Sequence, residues 1–230
     1  MINGKKIIAV IPARGGSKGI KLKNLKKING KSLIRITAEF VHKCKFFDYA
    51  TLSTDHNKIS KEARKYKIDI VKRPKKLSGD KISDTKVLLH AVEQIEKFTK
   101  LNFDIVVMLH PTSPLRKIND VRNCIKMLIK KKYDSVWTIS KTDSKFHPDK
   151  QLQLKKNKIK YYSKKGPNIF YRQQLDQVYY RNSNAYVIRK NFLKKKKTLF
   201  SKNTGSVIVK SKQISIDNLE DINFVKSLLK

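Results

Sequence analysis

The sequence predicts an α/β protein: a doubly wound, mainly parallel sheet with a small inserted arm. Two observations carry this. Ile7–Ile11 and Phe103–Leu109 are continuous apolar runs without alternation, the pattern of strands covered by helices on both faces. Such runs take turns with amphipathic stretches at helical spacing, the order that builds a parallel sheet. Ligands of these sheets sit beyond the carboxyl ends of the strands, so the loops that follow the strands are where chemistry is to be sought.

In chain order, Ile7–Ile11 is the first strand, and Pro12, which has no N–H for the ladder, ends it. A Gly-rich cationic loop follows, up to Lys23-Asn24. Ile28–Lys31 is a turn. Ser32–Cys44 is a helix, with Leu33, Ile36, Ala38, Phe40 and Val41 at near-helical spacing. Tyr49–Ser53 is the second strand, with Thr54-Asp55 at its carboxyl end. Lys58–Tyr66 is a helix, and Ile68–Val71 is a short strand closed by Arg73-Pro74. The polar loop Lys75–Lys81 feeds a helix from Asp84 to Phe98, with Asp84 or Ser83 as N-cap. After the strand Phe103–Leu109 come the loop His110–Arg116, a helix Ile118–Lys130 and a strand Ser135–Ser140.

From Lys141 to Val178 polar and aromatic residues mix without a long period, as in short strands and turns. Two readings stand: a protruding arm whose Phe146, Tyr161, Tyr162 and Phe170 need covering by a second copy, or a loose surface excursion. The sheet resumes with Asn184–Ile188 and Ser206–Val209. Lys194–Lys197 is a solvated helix end or loop, and Ile214–Asp217 leads into a last amphipathic helix, Asn218–Leu229.

The 230 residues suffice for one full α/β domain. With 54 Lys+Arg against 18 Asp+Glu, the net charge is +36, which raises a nucleic-acid partner. The lysines are nevertheless spread along the whole chain among many Ile and Asn, and no helix-turn-helix, RRM or zinc signature accompanies them. The charge therefore reads as compositional, with steering of anionic substrates as its use. Cys44 and Cys124 fall in neither metal nor redox spacing and read as buried or incidental thiols of a reducing compartment. Met1–Lys6 leads straight into the first strand without a signal-peptide core, and no apolar stretch is long enough to span a bilayer. The expected location is the cytoplasm.

The chemistry centres on the loop after Ile11. Gly15, Gly16 and Gly19 are expected to let the backbone approach a ligand. Successive backbone N–H groups make a concavity for an anion, and Arg14, Lys18, Lys21 and Lys23 add charge. A polyphosphate suits such a loop, which is neither a Walker A loop nor GxGxxG. Taken alone, it also reads as a surface turn in a Lys-rich protein. The Ser53–Asp55 step and the His110–Arg116 loop lie at strand ends too, and all three converge on one crevice.

The string PARGGSKGIxxKN resembles the N-terminal signature of the acylneuraminate cytidylyltransferases, the CMP-sialic acid synthetase family. The likeness continues along nearly the whole chain. Ser53-Thr54-Asp55 matches an STD step, and Arg73-Pro74 with Leu77 and Asp80 an RPxxLxxD segment. Pro111–Arg116 matches the tail of LQPTSPLR. His147-Pro148 and Arg172–Gln174 resemble elements of the family's dimerisation arm, and Arg181–Tyr186 the segment ending in NGAxY. Ser215-Ile216-Asp217 stands where a D-x-D pair is usual.

The resemblance implies a Rossmann-like nucleotidyltransferase fold over residues 1–230, an inserted dimerisation arm at about 141–178, and a homodimer without nucleic-acid or membrane partners. The implied reaction is attack of the anomeric hydroxyl of a nine-carbon acidic sugar on the α-phosphate of CTP, giving CMP-sugar and pyrophosphate. Arg14, Gly15, Gly16, Ser17, Lys18 and Lys23 would hold the triphosphate, with Lys23 and Arg14 stabilising charge. Asn24, Arg73 and Asp84 would serve the nucleoside, and His110, Thr112, Ser113, Arg172, Gln173 and Asn184 the sugar. Asp217, with Asp221 as a further candidate, would hold magnesium. Two of these have plainer readings: Arg73 as a helix–sheet salt bridge, and Asp217 with Glu220 as a capping box.

Three departures bear on function. Ser215 replaces the first aspartate of D-x-D and is a weaker metal ligand. His110 stands where the family usually has Gln; it would read the sugar differently, or simply support the Pro111 loop. Ser183-Asn184 replaces Asn-Gly. The acceptor could thus be N-acetylneuraminate, legionaminate or pseudaminate, with KDO in a neighbouring branch. An inactive CTP-binding relative and a basic nucleic-acid-binding protein are the alternatives of another kind.

Overall fold

The structure, a computed structural model, describes residues 2–229. In chain order it runs β1 (Ile7–Pro12), a 3₁₀ turn (Lys23–Leu25), a small antiparallel ribbon of β2 (Lys27–Ile28) and β3 (Lys31–Ser32), α1 (Leu33–Lys43), β4 (Tyr49–Thr54), α2 (Asn57–Arg64) and β5 (Asp69–Lys72). Then come α3 (Asp84–Thr99), β6 (Ile105–Met108), α4 (Ile118–Lys130), β7 (Ser135–Lys141), the hairpin β8 (Leu152–Lys155) and β9 (Lys158–Tyr161), β10 (Tyr179–Arg189), α5 (Lys190–Lys196), β11 (Thr204–Ile208) and α6 (Leu219–Leu228).

Among the described residues, seven strands form the main sheet in the order β11-β7-β10-β6-β1-β4-β5. All pairings are parallel except those of β10, which runs antiparallel to both β6 and β7. β1 lies inside the sheet and is almost wholly buried, as its unbroken apolar run requires. Ile7, Ala9 and Ile11 pack with α1 (Ile34, Ala38, Val41) and α4 (Val121, Ile125, Leu128). Ile8 and Val10 pack with Leu88, Ala91 and Val92 of α3 on the other face. Each fully buried Ile or Leu contributes about 1.5–3 kcal/mol over its exposed state. A smaller cluster of Ile20, Ile28, Leu33, Ile216, Ile222 and Val225 seats α6 against the Gly-rich loop. That cluster brings the carboxyl end of the chain to the carboxyl end of β1.

Two elements differ from the sequence reading. β10 starts at Tyr179 rather than Asn184, pairing Tyr179–Arg181 with Ile139–Lys141 before a bulge. Its polar residues do not mark a loop. Asn182 is buried and donates from Nδ2 to Ser140 Oγ at 2.9 Å, and Ser183 takes a left-handed backbone (φ 59°) at the irregularity. The capping box of α6 uses Asn218 and Asp221, not Asp217 and Glu220. Asn218 Oδ1 accepts the Asp221 N–H at 2.8 Å, and Asp221 Oδ2 accepts the N–H groups of Asn218 and Asp217 at 2.9 and 2.7 Å. The Asp217 side chain is therefore outside the cap. Lys194–Lys196 close α5, and Lys197 caps it in the left-handed region.

Residues 142–178 form the β8–β9 hairpin and several 3₁₀ turns. Lys156 and Asn157, both at positive φ, make its two-residue turn. The hairpin is exposed on both faces. The segment is pinned at its root. His147 is buried, its Nδ1 accepts the Asp149 N–H at 3.2 Å, and its Nε2 lies 3.0 Å from the Asp176 carbonyl oxygen. With Nδ1 accepting, Nε2 is the nitrogen that donates to that carbonyl.

Candidate active site

The carboxyl ends of β1, β5 and β6 open onto a crevice of about 430 Å³ lined by Arg14, Ser17, Lys18, Lys23, Asn24, Arg73, Asp84, His110, Thr112 and Asp217, with the Ser53–Asp55 step outside the lining. The loop after β1 is locked from below. The Ala13 N–H donates to the Ser53 carbonyl at 2.9 Å, and the Gly15 N–H to Asp55 Oδ1 at 2.9 Å. The Ser53–Asp55 step thus serves to fix the loop. The glycines divide their roles otherwise than expected. A Cβ on Gly15 would meet His56 Cδ2 at 2.6 Å, and one on Gly19 the Asp217 carbonyl oxygen at 2.5 Å, so both are required by packing within the protein. Gly16 alone of the three faces open space.

Each crevice cation of the loop already has an acid partner. Arg14 Nη1 and Lys18 Nζ grip the two oxygens of Asp80 at 2.6 and 2.9 Å. Lys18 and then Arg14 hold the Asp80 carboxyl below the usual carboxylate range. Lys23 Nζ, only 16% exposed, lies 2.7 Å from Oδ1 of Asp217, which is 74% exposed. The Ile216 N–H donates to the Thr112 carbonyl at 2.9 Å, which ties the approach to Asp217 to the loop after β6.

Of the residues expected to meet a nucleoside, Asn24 is buried and donates from Nδ2 to the Arg14 carbonyl at 3.1 Å. Arg73 is buried, with Nη2 donating to Ser53 O at 2.8 Å and Nε to Ser53 Oγ at 3.2 Å. Among the described residues it makes no ion pair; burial works against its charge, while Asp55 and Asp84 support it at longer range.

The residues expected to meet a sugar are split three ways. His110 and Thr112 line the crevice. Ser113 and Asn184 are buried behind it: Ser113 Oγ donates to the Ser183 carbonyl at 3.0 Å, and the Asn184 carboxamide has no hydrogen-bond partner among the described residues. Arg172 and Gln173 lie elsewhere, in a cavity of about 760 Å³ at the arm's root with Lys141, Asp143 and His147. One chain therefore does not bring all six together.

Arg116, named in the sequence only as the end of a motif, has a clear structural role. It is buried, stacks over Phe40 at 5.2 Å, and donates to the carbonyls of His110 (2.6 Å) and Asn184. It thereby joins the loop after β6 to the bulge of β10. An isolated buried cation is costly; here two carbonyls and a ring face offset that cost. An Arg with no acid near it in the loop sequence was the available signal.

For a divalent cation, the described residues contain no group of three or more His, Cys, Asp or Glu suited to hold one. Ser215 turns to Thr112, with its Oγ 3.4 Å from Thr112 Oγ1, and Asp221 is engaged in the cap. Asp217 is left as an open carboxylate beside Lys23. A single carboxylate completed by substrate phosphates and water is a usual arrangement for magnesium, so the residues fit that ion and offer no closed cage. Cys44 and Cys124 are free and buried, and among the described residues no helix is long and apolar enough to cross a membrane.

Residues 8–228 match the family model described as cytidylyltransferase. The chain is similar to post-translational flagellin modification protein B of Campylobacter coli, 30% identical over 227 residues that cover 97% of this chain and 95% of that one. It is also similar to CMP-N,N'-diacetyllegionaminic acid synthase of Campylobacter jejuni, 29% identical over 226 residues, 97% and 94% of the two chains. Among solved structures, CMP:2-keto-3-deoxy-manno-octonic acid synthetase complexed with CTP superposes with a TM-score of 0.72 at 17% identity, covering 97% of this chain and 98% of that one. That likeness is one of fold.

Proposed function

The chain belongs to the cytidylyltransferase family, and on that premise we propose that it activates a nine-carbon acidic sugar of the N-acylneuraminate, legionaminate or pseudaminate kind with CTP, releasing CMP-sugar and pyrophosphate. One observation carries the reading: Arg14, Lys18 and Lys23 converge on a crevice with Asp217, beside a loop whose Gly16 faces open space. Such a site matches a polyphosphate in charge and shape.

Nucleotidyl transfer is catalysed mainly by positioning and by neutralising charge at phosphorus. Arg14, Ser17 and Lys18 hold the outer phosphates, taking up the cations that Asp80 engages in the free protein. Lys23 serves the α-phosphate. Arg73, Asn24 and Asp84 bound the nucleoside side. Magnesium would supply charge neutralisation to the phosphates, and Asp217 is the carboxylate that would hold it. His110 and Thr112 face the acceptor. Arg172 and Gln173, remote in one chain, join a sugar pocket if the arm of a second copy reaches the crevice, and the bare aromatic surface of the arm supports a homodimer. CTP as substrate and two free thiols support a cytoplasmic setting.

The test is pyrophosphate release from CTP and magnesium with N-acetylneuraminate, legionaminate, pseudaminate and KDO in parallel. Release with one nine-carbon acid is expected. Release with KDO alone would move the chain to the eight-carbon branch, and no release with any of the four would contradict the reading.

A further inference from the structure

We propose that His110 is the general base of the transfer, accepting the proton of the acceptor sugar's attacking hydroxyl. The inference rests on the reading above, that this crevice is where that hydroxyl meets the α-phosphate. As the sugar oxygen bonds to phosphorus, the bond from phosphorus to the pyrophosphate oxygen breaks. Pyrophosphate leaves with that electron pair, and the hydroxyl proton must go to a base within hydrogen-bond reach.

The crevice offers few such groups. Arg14, Lys18, Lys23 and Arg73 are cations without a free lone pair. Asp217 is engaged by Lys23 at 2.7 Å. Asp84 opens α3 on the nucleoside side, near Arg73. His110 differs from all of these. Its ring nitrogens make no hydrogen bond to any described residue, and it lines the same crevice as Lys23 and Thr112. In His90, by contrast, the unpartnered Nδ1 is buried.

The ring is also held. Tyr186 of β10 meets it edge-on, with centroids 6.1 Å apart and planes at 87°. Arg116 fixes the residue's own carbonyl at 2.6 Å. The charged groups that act on it are Asp84 of α3, Arg116 of its own loop and Lys23 of the 3₁₀ turn. Burial lowers the proton affinity of the imidazole, Asp84 opposes that, and Arg116 and Lys23 add to the lowering. The ring is thus neutral near pH 7, with one nitrogen free to accept. After transfer the imidazolium, near Asp84, returns its proton to water as product leaves. The position that carries Gln in the resembling family, a residue that cannot act as a base, thus carries one here.

The test is the pH dependence of kcat at saturating CTP, magnesium and sugar, for the wild type and for His110→Gln, with CTP affinity measured alongside. In the wild type, kcat should fall tenfold per unit as pH drops below an apparent pKa under about 6.5, the ordinary imidazole value. His110→Gln should lose about 10²–10⁴-fold in kcat, lose that acid limb, and keep its CTP affinity within about twofold. A variant within about threefold of wild-type kcat would overturn the proposal, and so would a slow variant that retains the acid limb. Should His110→Gln fail to fold, the wild-type profile decides: no acid limb overturns the proposal. A wild type active on a nine-carbon acid with a flat profile defeats only the base, whereas a wild type inactive on every acid defeats the reading beneath it.

Discussion

In the crevice, polar side chains are held by one another: Arg14 and Lys18 by Asp80, Lys23 by Asp217, Arg73 by Ser53, and Arg116 by the carbonyls of His110 and Asn184. In the arm the reverse holds. Leu154, Ile159, Tyr162, Phe170 and Tyr171 are each more than 60% exposed, and the segment is pinned only near its base, where His147 and the Thr142 N–H bond to Asp176 and Val178. The crevice is thus organised within one chain before any ligand arrives. The arm thus leaves large apolar side chains bare, the kind of surface that a partner covers. On the proposed reading, the contrast means that the two substrates would be served on different terms, one by a preformed set of charges and the other by residues still to be brought together.

Three substitutions probe that contrast, in falling order of effect. Lys23→Ala should lower turnover by about 10²–10³-fold or more, the cost of removing one group that stabilises a transition-state charge. Its melting temperature should stay close to wild type, because a pair with a largely exposed carboxylate adds little stability. Retained turnover would end the role given to Lys23. Asp217→Asn should lower turnover by about tenfold or more and raise the magnesium concentration for half-maximal rate, since a neutral amide is a poorer ligand for a hard cation. An unchanged magnesium dependence would move the ligand elsewhere. Asp80→Asn should lower the CTP concentration for half-saturation by about two- to fivefold, the range of a solvent-exposed ion pair. With its carboxyl held below the usual range, Asp80 stays ionised and competes with phosphate throughout neutral pH. The gain should therefore persist from pH 6 to 8 and fade only in acid, and a weaker CTP affinity would show instead that Asp80 prepares the cations.

Much of the crevice was legible in the sequence because its signals are local. An unbroken apolar run, a proline stop and a basic glycine loop place β1 and its loop without knowledge of any distant contact, and the strand before His110 delivers it to the same end of the sheet, whereas Arg73 and Asp217 were reached as site residues through the family resemblance. What escaped depends on residues far apart in sequence. Asn182 and Ser183 look like loop residues until Ser140, on the neighbouring strand, accepts from Asn182. Gly15 and Gly19 look like ligand-facing glycines, yet His56 and Asp217 are what they make room for. Asp221, rather than Glu220, closes the cap because Asn218, not Asp217, takes the N-cap position. Nothing local in Asp80 shows that it bridges two cations of a loop more than sixty residues earlier in the chain.

The most direct measurement pairs sedimentation with CTP binding and turnover, for the wild type and for a variant with Tyr161, Tyr162 and Phe170 changed to Ser. The wild type is expected to be a dimer. The variant is expected to be a monomer that binds CTP with wild-type affinity and forms CMP-sugar at less than about a tenth of the wild-type rate. A monomer, wild-type or variant, that turns over its sugar at full rate would contradict the division of the site between a preformed crevice and a borrowed arm.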